Sequence, residues 1–226
     1  MKRFYKDVSI VDGALLLDGR GVKTPARAVL ALPSPALAAA IAEEWRGQGE
    51  VIDPRAMPFT GIANAAIDIV TPDIAAFVAP LAAYAETDLL CYRADGPSEL
   101  VEEEALSWDP LLDWARRRYD VHFALASGIL HVAQPAATVT RLVEALSAQS
   151  PFALAALSKL ITIGGSLVAA LALAERAIDT EAAFAATHLD ELWQARMWGE
   201  DALAAQTREA RRIDFVAAAR FLYLLG

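Results

Sequence analysis

Val8-Ser9-Ile10-Val11 and Ala14-Leu15-Leu16-Leu17 face each other across Asp12-Gly13. Both central residues of so short a turn must tolerate positive φ, and Asp-Gly does so at little cost, so the chain has to open with an antiparallel hairpin. A second turn at Asp18-Gly19-Arg20-Gly21 leads to two further strand candidates, Val22-Lys23-Thr24 and Ala28-Val29-Leu30-Ala31-Leu32, parted by Pro25. The β pattern then stops. Ser34 is placed to cap a helix and Pro35 suits its first position. Leu37, Ile41 and Trp45 follow at helical spacing, and Gly47 and Gly49 end the run. A helix on a small antiparallel sheet makes an α+β layer.

The remainder reads as helix. Thr60 and Thr71 are expected caps for two helices, the second with a stripe of Ile74, Phe77, Val78, Leu81 and Ala85. Further helices are expected near 98–106, 109–119, 136–149, 152–174, 180–196 and 200–225, with Pro135 and Pro151 at boundaries. A strand pair, Val121-His122-Phe123 and Ile129-Leu130-His131-Val132, is expected around the Ser127-Gly128 turn. The expected organisation is an α+β N-terminal domain over 1–85, a small antiparallel sheet plus helix, followed by a larger, mainly α-helical C-terminal domain over 86–226.

Composition narrows the function. With 56% hydrophobic residues in 226, disorder is excluded, and alanine supplies much of that share, which favours helix. A net charge of -9 repels phosphate backbones and anionic lipid, so neither nucleic acid nor a membrane surface is an expected partner. The basic cluster Arg116 to Arg118 reads as a solvated helix end favoured by the helix dipole. The most membrane-like stretch, Phe152 to Ala174, is interrupted by Lys159 and Gly164-Gly165-Ser166 and is expected to be one buried helix. A single cysteine, Cys91, rules out an intrachain disulfide and sits in an apolar run, so it reads as a buried structural thiol. The N-terminus shows neither a signal core nor a presequence, and a cytoplasmic location is expected.

Catalytic motifs are not apparent. His122, His131 and His188 are scattered without metal spacing, so no metal is expected. The glycine pairs lack phosphate-loop spacing, and there is no GxSxG. Carboxylate runs such as Glu43-Glu44 and Glu102-Glu103-Glu104 read as solvated faces. Two groupings rise above this background. One joins Asp88, Cys91 and Arg93 to Trp108, Asp109 and Trp114. The other is a helix placing Glu191, Gln194 and Trp198 at i, i+3 and i+7 along one face. Each also reads as an ordinary seam in which tryptophan fills space and carboxylates pair with Arg93 or Arg196.

The segments LDGRGVKTPAR (17–27), AEEW (42–45), MPFTGIANAAID (57–68), YAETDLLCYRA (84–94), WDPLLDWA (108–115) and QARMWGEDA (194–202) occur in one order. In that order they resemble the Atp-twelve family of ATP synthase assembly factors, found in mitochondria and α-proteobacteria. The absent presequence and the Ala-rich end, Ala219-Arg220-Phe221-Leu222, are closer to bacterial members. The resemblance implies a small α+β domain and a larger helical one. It also implies a transient partner, the unassembled α subunit of the synthase head, whose interface is masked until β arrives. Neither catalytic residues nor a cofactor is implied, and a monomer is expected. An acidic residue before the Q…WG motif carries weight in the family. Alignment on Gln194, Trp198 and Gly199 puts it at Asp190 or Glu191, and the face shared with Gln194 and Trp198 favours Glu191. Trp45 matches another weighted position, and its stripe points to a core role. After Trp198 the chain has Glu200-Asp201 where mitochondrial members carry a longer aromatic-acidic stretch.

Two other readings remain. One is a small-molecule enzyme with an interdomain pocket using Asp88, Arg93, Asp109 or Glu191, although no nucleophile or cofactor motif supports it. The other is a structural subunit of a stable helical complex.

Overall fold

The computed structural model describes residues 1–128 and 131–226. They divide into two compact units. One comprises Met1–Phe77, Ser150–Ala156 and Ala217–Gly226, and the other Val78–Gln149 and Leu157–Val216.

In the first unit, β1 (Val8–Val11), β2 (Ala14–Leu17) and β3 (Arg20–Gly21) form an antiparallel sheet in that order, with Val11 opposite Ala14 and Val8 opposite Leu17. The turn residues Asp12 and Gly13 hold φ of 49° and 76°, as the hairpin requires. The expected strands further on survive only as single bridges, Lys23 to Val29 and Ala14 to Ala31. Helix α1 (Pro35–Arg46) begins as expected, with Ser34 Oγ accepting from Leu37 N at 3.1 Å, and buries Leu37, Ala38, Ile41 and Ala42.

Helix α2 (Pro58–Ala65) corrects the expected cap at Thr60, which lies inside it. The cap comes from α1. Glu44 accepts from Phe59 N at 2.7 Å, from Thr60 N at 2.8 Å and from the Thr60 hydroxyl at 2.7 Å. A carboxylate fifteen residues away does what a local side chain was expected to do. The chain continues into a π-turn over Ala66–Val70, and Thr71 closes it by donating to Ala66 O at 2.8 Å. Thr71 is therefore a terminator, and Asp73 caps α3 (Ile74–Val78) through Ala76 N. Later residues complete this unit: Phe152 stacks on Phe221 with centroids 6.4 Å apart, and Phe221 also meets Phe59.

The second unit is helical. After α4 (Ala83–Glu86) and a 3-10 turn at Leu89–Cys91, the short strand β4 (Tyr92–Arg93) leads to α5 (Ser98–Tyr119). The two helices expected here are one. Pro110 removes a single backbone donor, and the buried residues on both sides of it hold the helix together. The expected strand pair is also corrected. Val121–Phe123 is not a strand, Ile129 and Leu130 lie outside the described residues, and β5 (Ala126–Ser127) pairs in parallel with β4.

Helix α6 (Ala136–Ser147) follows expectation, but the single helix expected over 152–174 is two, α7 (Pro151–Gly164) and α8 (Leu167–Ala174). Gly165 takes φ of 69° and Ser166 caps α8 through Ala169 N at 3.0 Å, so the chain stops and restarts. Helices α9 (Thr180–Thr187), α10 (Leu189–Trp198) and α11 (Ala202–Leu225) complete the chain. By length and composition alone Ile74–Cys91 could cross a membrane, at mean hydropathy 1.4, but the backbone there is broken into α3, α4 and the 3-10 turn.

Candidate functional site

Helix α5 organises the second unit. Its buried face carries Leu100, Glu104, Trp108, Leu111, Leu112 and Ala115. Trp108 is fully buried and its indole N–H donates to Ala186 O at 2.8 Å. The Arg93 guanidinium lies 5.2 Å over that ring, binds Asp109 at 2.7 Å and donates through Nε to Leu90 O at 3.0 Å.

Asp88, fully buried, accepts from Leu90 N at 3.1 Å and from Val168 N at 2.9 Å, with Ser166 and Leu167 as further donors. Burial nevertheless pushes its carboxyl up to about 6. Cys91 is buried beside it, and burial together with the Asp88 charge pushes the thiol up to about 12, which leaves it unreactive. Asp88, Arg93, Trp108 and Asp109 thus come together as expected, but as a framework that pins the 3-10 turn and α8 to α5.

Glu191, Gln194 and Trp198 also share a face, lining a cavity of about 220 Å³ with Glu200 and Arg208. Glu191 is clasped from α11, its two oxygens each 3.3 Å from Arg208 or Arg211, and Arg208 also binds Glu200. On either side of the turn that begins with Gly199, apolar side chains at the end of α10 and the start of α11 face solvent: Trp198 is 75% exposed, Leu203 72% and Met197 56%. Trp198 meets Trp193 edge-on, and Arg196 binds Glu103 at 2.6 Å. An indole this exposed beside a ring of charges is a surface suited to protein contact.

Asp190 points away from that face. It is hydrogen-bonded to Glu104, a fully buried acid that receives Ala94 N on both oxygens, at 3.2 and 3.0 Å. Burial raises both acids, Glu104 to about 7. Beside them His188 is 5% exposed, stacked on Phe184 at 3.9 Å, with burial holding its pKa below the usual value. Sequence reasoning placed Glu104 in a solvated run and set His188 aside. The missed signal was spacing, since Leu100, Glu104 and Trp108 recur every four residues and Glu104 therefore shares the buried face.

In the first unit the structure places Trp45 beside the core. It is half-buried against a cluster of Tyr5, Leu17, Ile52 and Met57, and its carbonyl accepts from the Tyr5 hydroxyl at 2.7 Å. Its ring also lines a cavity of about 560 Å³ with Phe4, Arg20 and Lys23. Among the described residues no three His, Cys, Asp or Glu side chains converge as a metal site would need.

Comparison with known proteins bears on these surfaces. A family described as ATP12 chaperone protein matches residues 2–116. The Atp12 crystal structure from Paracoccus denitrificans superposes with a TM-score of 0.94 at 41% identity, covering 100% of this chain and 98% of that one. An Agrobacterium tumefaciens protein gives 0.94 at 42% identity, covering 100% and 86%. The mitochondrial protein atp12 of Schizosaccharomyces pombe is 28% identical over 219 residues, 89% of this chain and 75% of its own length. The expected fold class agrees with these structures, and the chain belongs to the ATP12 chaperone family of ATP synthase assembly factors.

Proposed function

We propose that the chain binds the unassembled α subunit of the ATP synthase head, masks the surface it will present to β, and leaves as β docks. The observation that carries this reading is the exposed apolar patch of Met197, Trp198 and Leu203 at the junction of α10 and α11, flanked by the clasped Glu191 and by Glu200. Orphan subunits expose large apolar interfaces. A partner that must later let go is best served by a few aromatic anchors inside a charged rim, where steering is strong and the buried area is modest.

The protein acts as a monomer in the bacterial cytoplasm, or in the mitochondrial matrix for eukaryotic relatives. It needs no cofactor and turns nothing over. The enzyme reading loses support because Asp88 and Arg93 are tied into the framework of the second unit. Glu191 is the acid we assign to client handling, through the arginine clasp that sets the Trp198 face.

Affinity capture from native cytoplasm with the full chain as bait, read by mass spectrometry, tests the proposal. The expected catch is free α with little β, reduced for Trp198→Ala and for Glu191→Gln. Capture of no synthase subunit, even with α in excess, would overturn it.

A further inference from the structure

The first thirty residues hold six lysines and arginines against three aspartates, in a chain whose net charge is -9. The sheet of the first unit is thus the basic part of an acidic protein, and the cavity of about 560 Å³ lies there. Phe4, Tyr5 and Trp45 give it an aromatic wall, and Arg20 and Lys23 line it as well. Phe4 is 63% exposed and stands edge-on to Tyr5 at 5.4 Å, and Tyr5 meets Trp45 at 5.6 Å.

The charges near this cavity are not equally free. Arg3 is fastened to Tyr5 O and Gln48 O, and Arg46 to Glu43 and Val8 O. Asp18, the acid in the lining, accepts from the amides of Lys6 and Asp7 at 3.0 and 2.8 Å, which hold its carboxyl below the ordinary value. Among the described residues Arg20 and Lys23 make no ion pair and no side-chain hydrogen bond. Two uncommitted cations therefore stand against one anion that amides already answer.

The backbone points to a peptide. Gly21 also lines the cavity, and it lies on β3, an end strand of the sheet. Leu17 pairs with Arg20 across the two-residue turn, so the antiparallel alternation turns the amide and carbonyl of Gly21 away from β2. An outward amide and carbonyl on an end strand suit an extended segment, in which side chains two residues apart share a face.

We propose that this cavity docks an extended client segment, with a carboxylate side chain between Arg20 and Lys23 and aromatic neighbours two residues away against Phe4 and Trp45. The Arg20 guanidinium offers a carboxylate paired N–H donors, and Lys23 adds a point charge. The client assignment rests on the chaperone reading; the preference for a carboxylate beside an aromatic ring stands without it.

Acetyl-Phe-Ser-Glu-Ser-Phe-amide is the probe, titrated into the full-length 15N-labelled protein. Saturable shifts of the Gly21 amide and the Trp45 indole N–H are expected. Binding should weaken about tenfold or more when glutamine replaces the probe's glutamate, and likewise in the double variant Arg20→Gln, Lys23→Gln. Both side chains are exposed, so the variant should melt with the wild type. No saturable shift, equal binding of the glutamine peptide, or equal binding by a folded variant would overturn the site.

Capture of the α subunit by the double variant then tests the occupant. Reduced capture supports a client segment. Undiminished capture by a variant that no longer binds the probe would overturn the client assignment. Self-association of the wild type in sedimentation velocity, abolished in the variant, would assign the site to a second copy and overturn it too. If the wild type captures no α, the chaperone reading fails while the titration still decides the chemistry.

Discussion

Two buried acids on the same helical framework behave in opposite ways. Asp88 is surrounded by donors, with two backbone amides at hydrogen-bond distance and Ser166 and Leu167 adding to them. Glu104 faces another acid, and beside it Asp190 Oδ1 and His188 Nε2 are buried with no partner in the protein. Both are desolvated, and both carboxyls rise for that reason. The difference lies in what else is there. A saturated acid holds a fold together, whereas an unfinished one costs it stability.

Four substitutions can break or sharpen that contrast. Asp88→Ala would strand the amides of Leu90 and Val168 inside the unit, and urea denaturation should show a loss of about 3 kcal/mol. An unchanged midpoint would mean that water reaches those amides and that Asp88 is no keystone.

Glu104→Gln tests the other acid through pH. Its folded pKa of about 7 lies above its ordinary 4.5, so the folded state holds the proton longer than the unfolded state does. The stability it contributes is full below about pH 4.5 and is lost as pH rises through about 7, by about 2 kcal/mol. Glutamine keeps a donor towards Asp190 and cannot ionise. The wild-type curve should therefore fall relative to the variant across that window, and subtraction removes the opposing contribution of His188. Parallel curves would show that Arg93 and the Ala94 amide keep Glu104 ionised throughout.

A smaller effect, of opposite sign to that of Asp88→Ala, is expected for Asp190→Asn. It replaces a partly buried carboxyl, held above its ordinary value by desolvation, with a neutral amide, so stability should rise by about 1 kcal/mol. A comparable loss would place Asp190 with Asp88 as a structural acid. Trp198→Ala should stay within about 0.5 kcal/mol of wild type in thermal melts, since the ring is 75% exposed. A larger drop would turn the proposed contact surface into core.

Much of this fold is legible from local chemistry. The Asp12-Gly13 hairpin, the Ser34-Pro35 start of α1 and the shared face of Glu191, Gln194 and Trp198 all follow from turn preference, capping or helical spacing. What was misread depends on partners far along the chain. Glu44 caps α2 in place of Thr60, α8 packing outweighs Pro110 in α5, and β4 pairs with β5 across more than thirty residues. Gly165 was visible, but a glycine in an apolar run reads equally as close packing or as a break, and only its φ of 69° decides. The unpartnered Nε2 of His188 left no mark in sequence, because an atom without a partner has no spacing to recognise.

The first unit has a consequence for how the chain is made. Its sheet and α1 are synthesised well before residues 217–226, yet Ser34 Oγ donates to Leu224 O and Phe59 packs on Phe221. Domains generally fold as units while synthesis proceeds, N-terminal parts first. Here a segment made before the second unit waits for residues 217–226, and until they arrive the side chains they cover face solvent. A chaperone of this design spends its own synthesis with an unfinished apolar surface, the same condition from which it is proposed to protect its client.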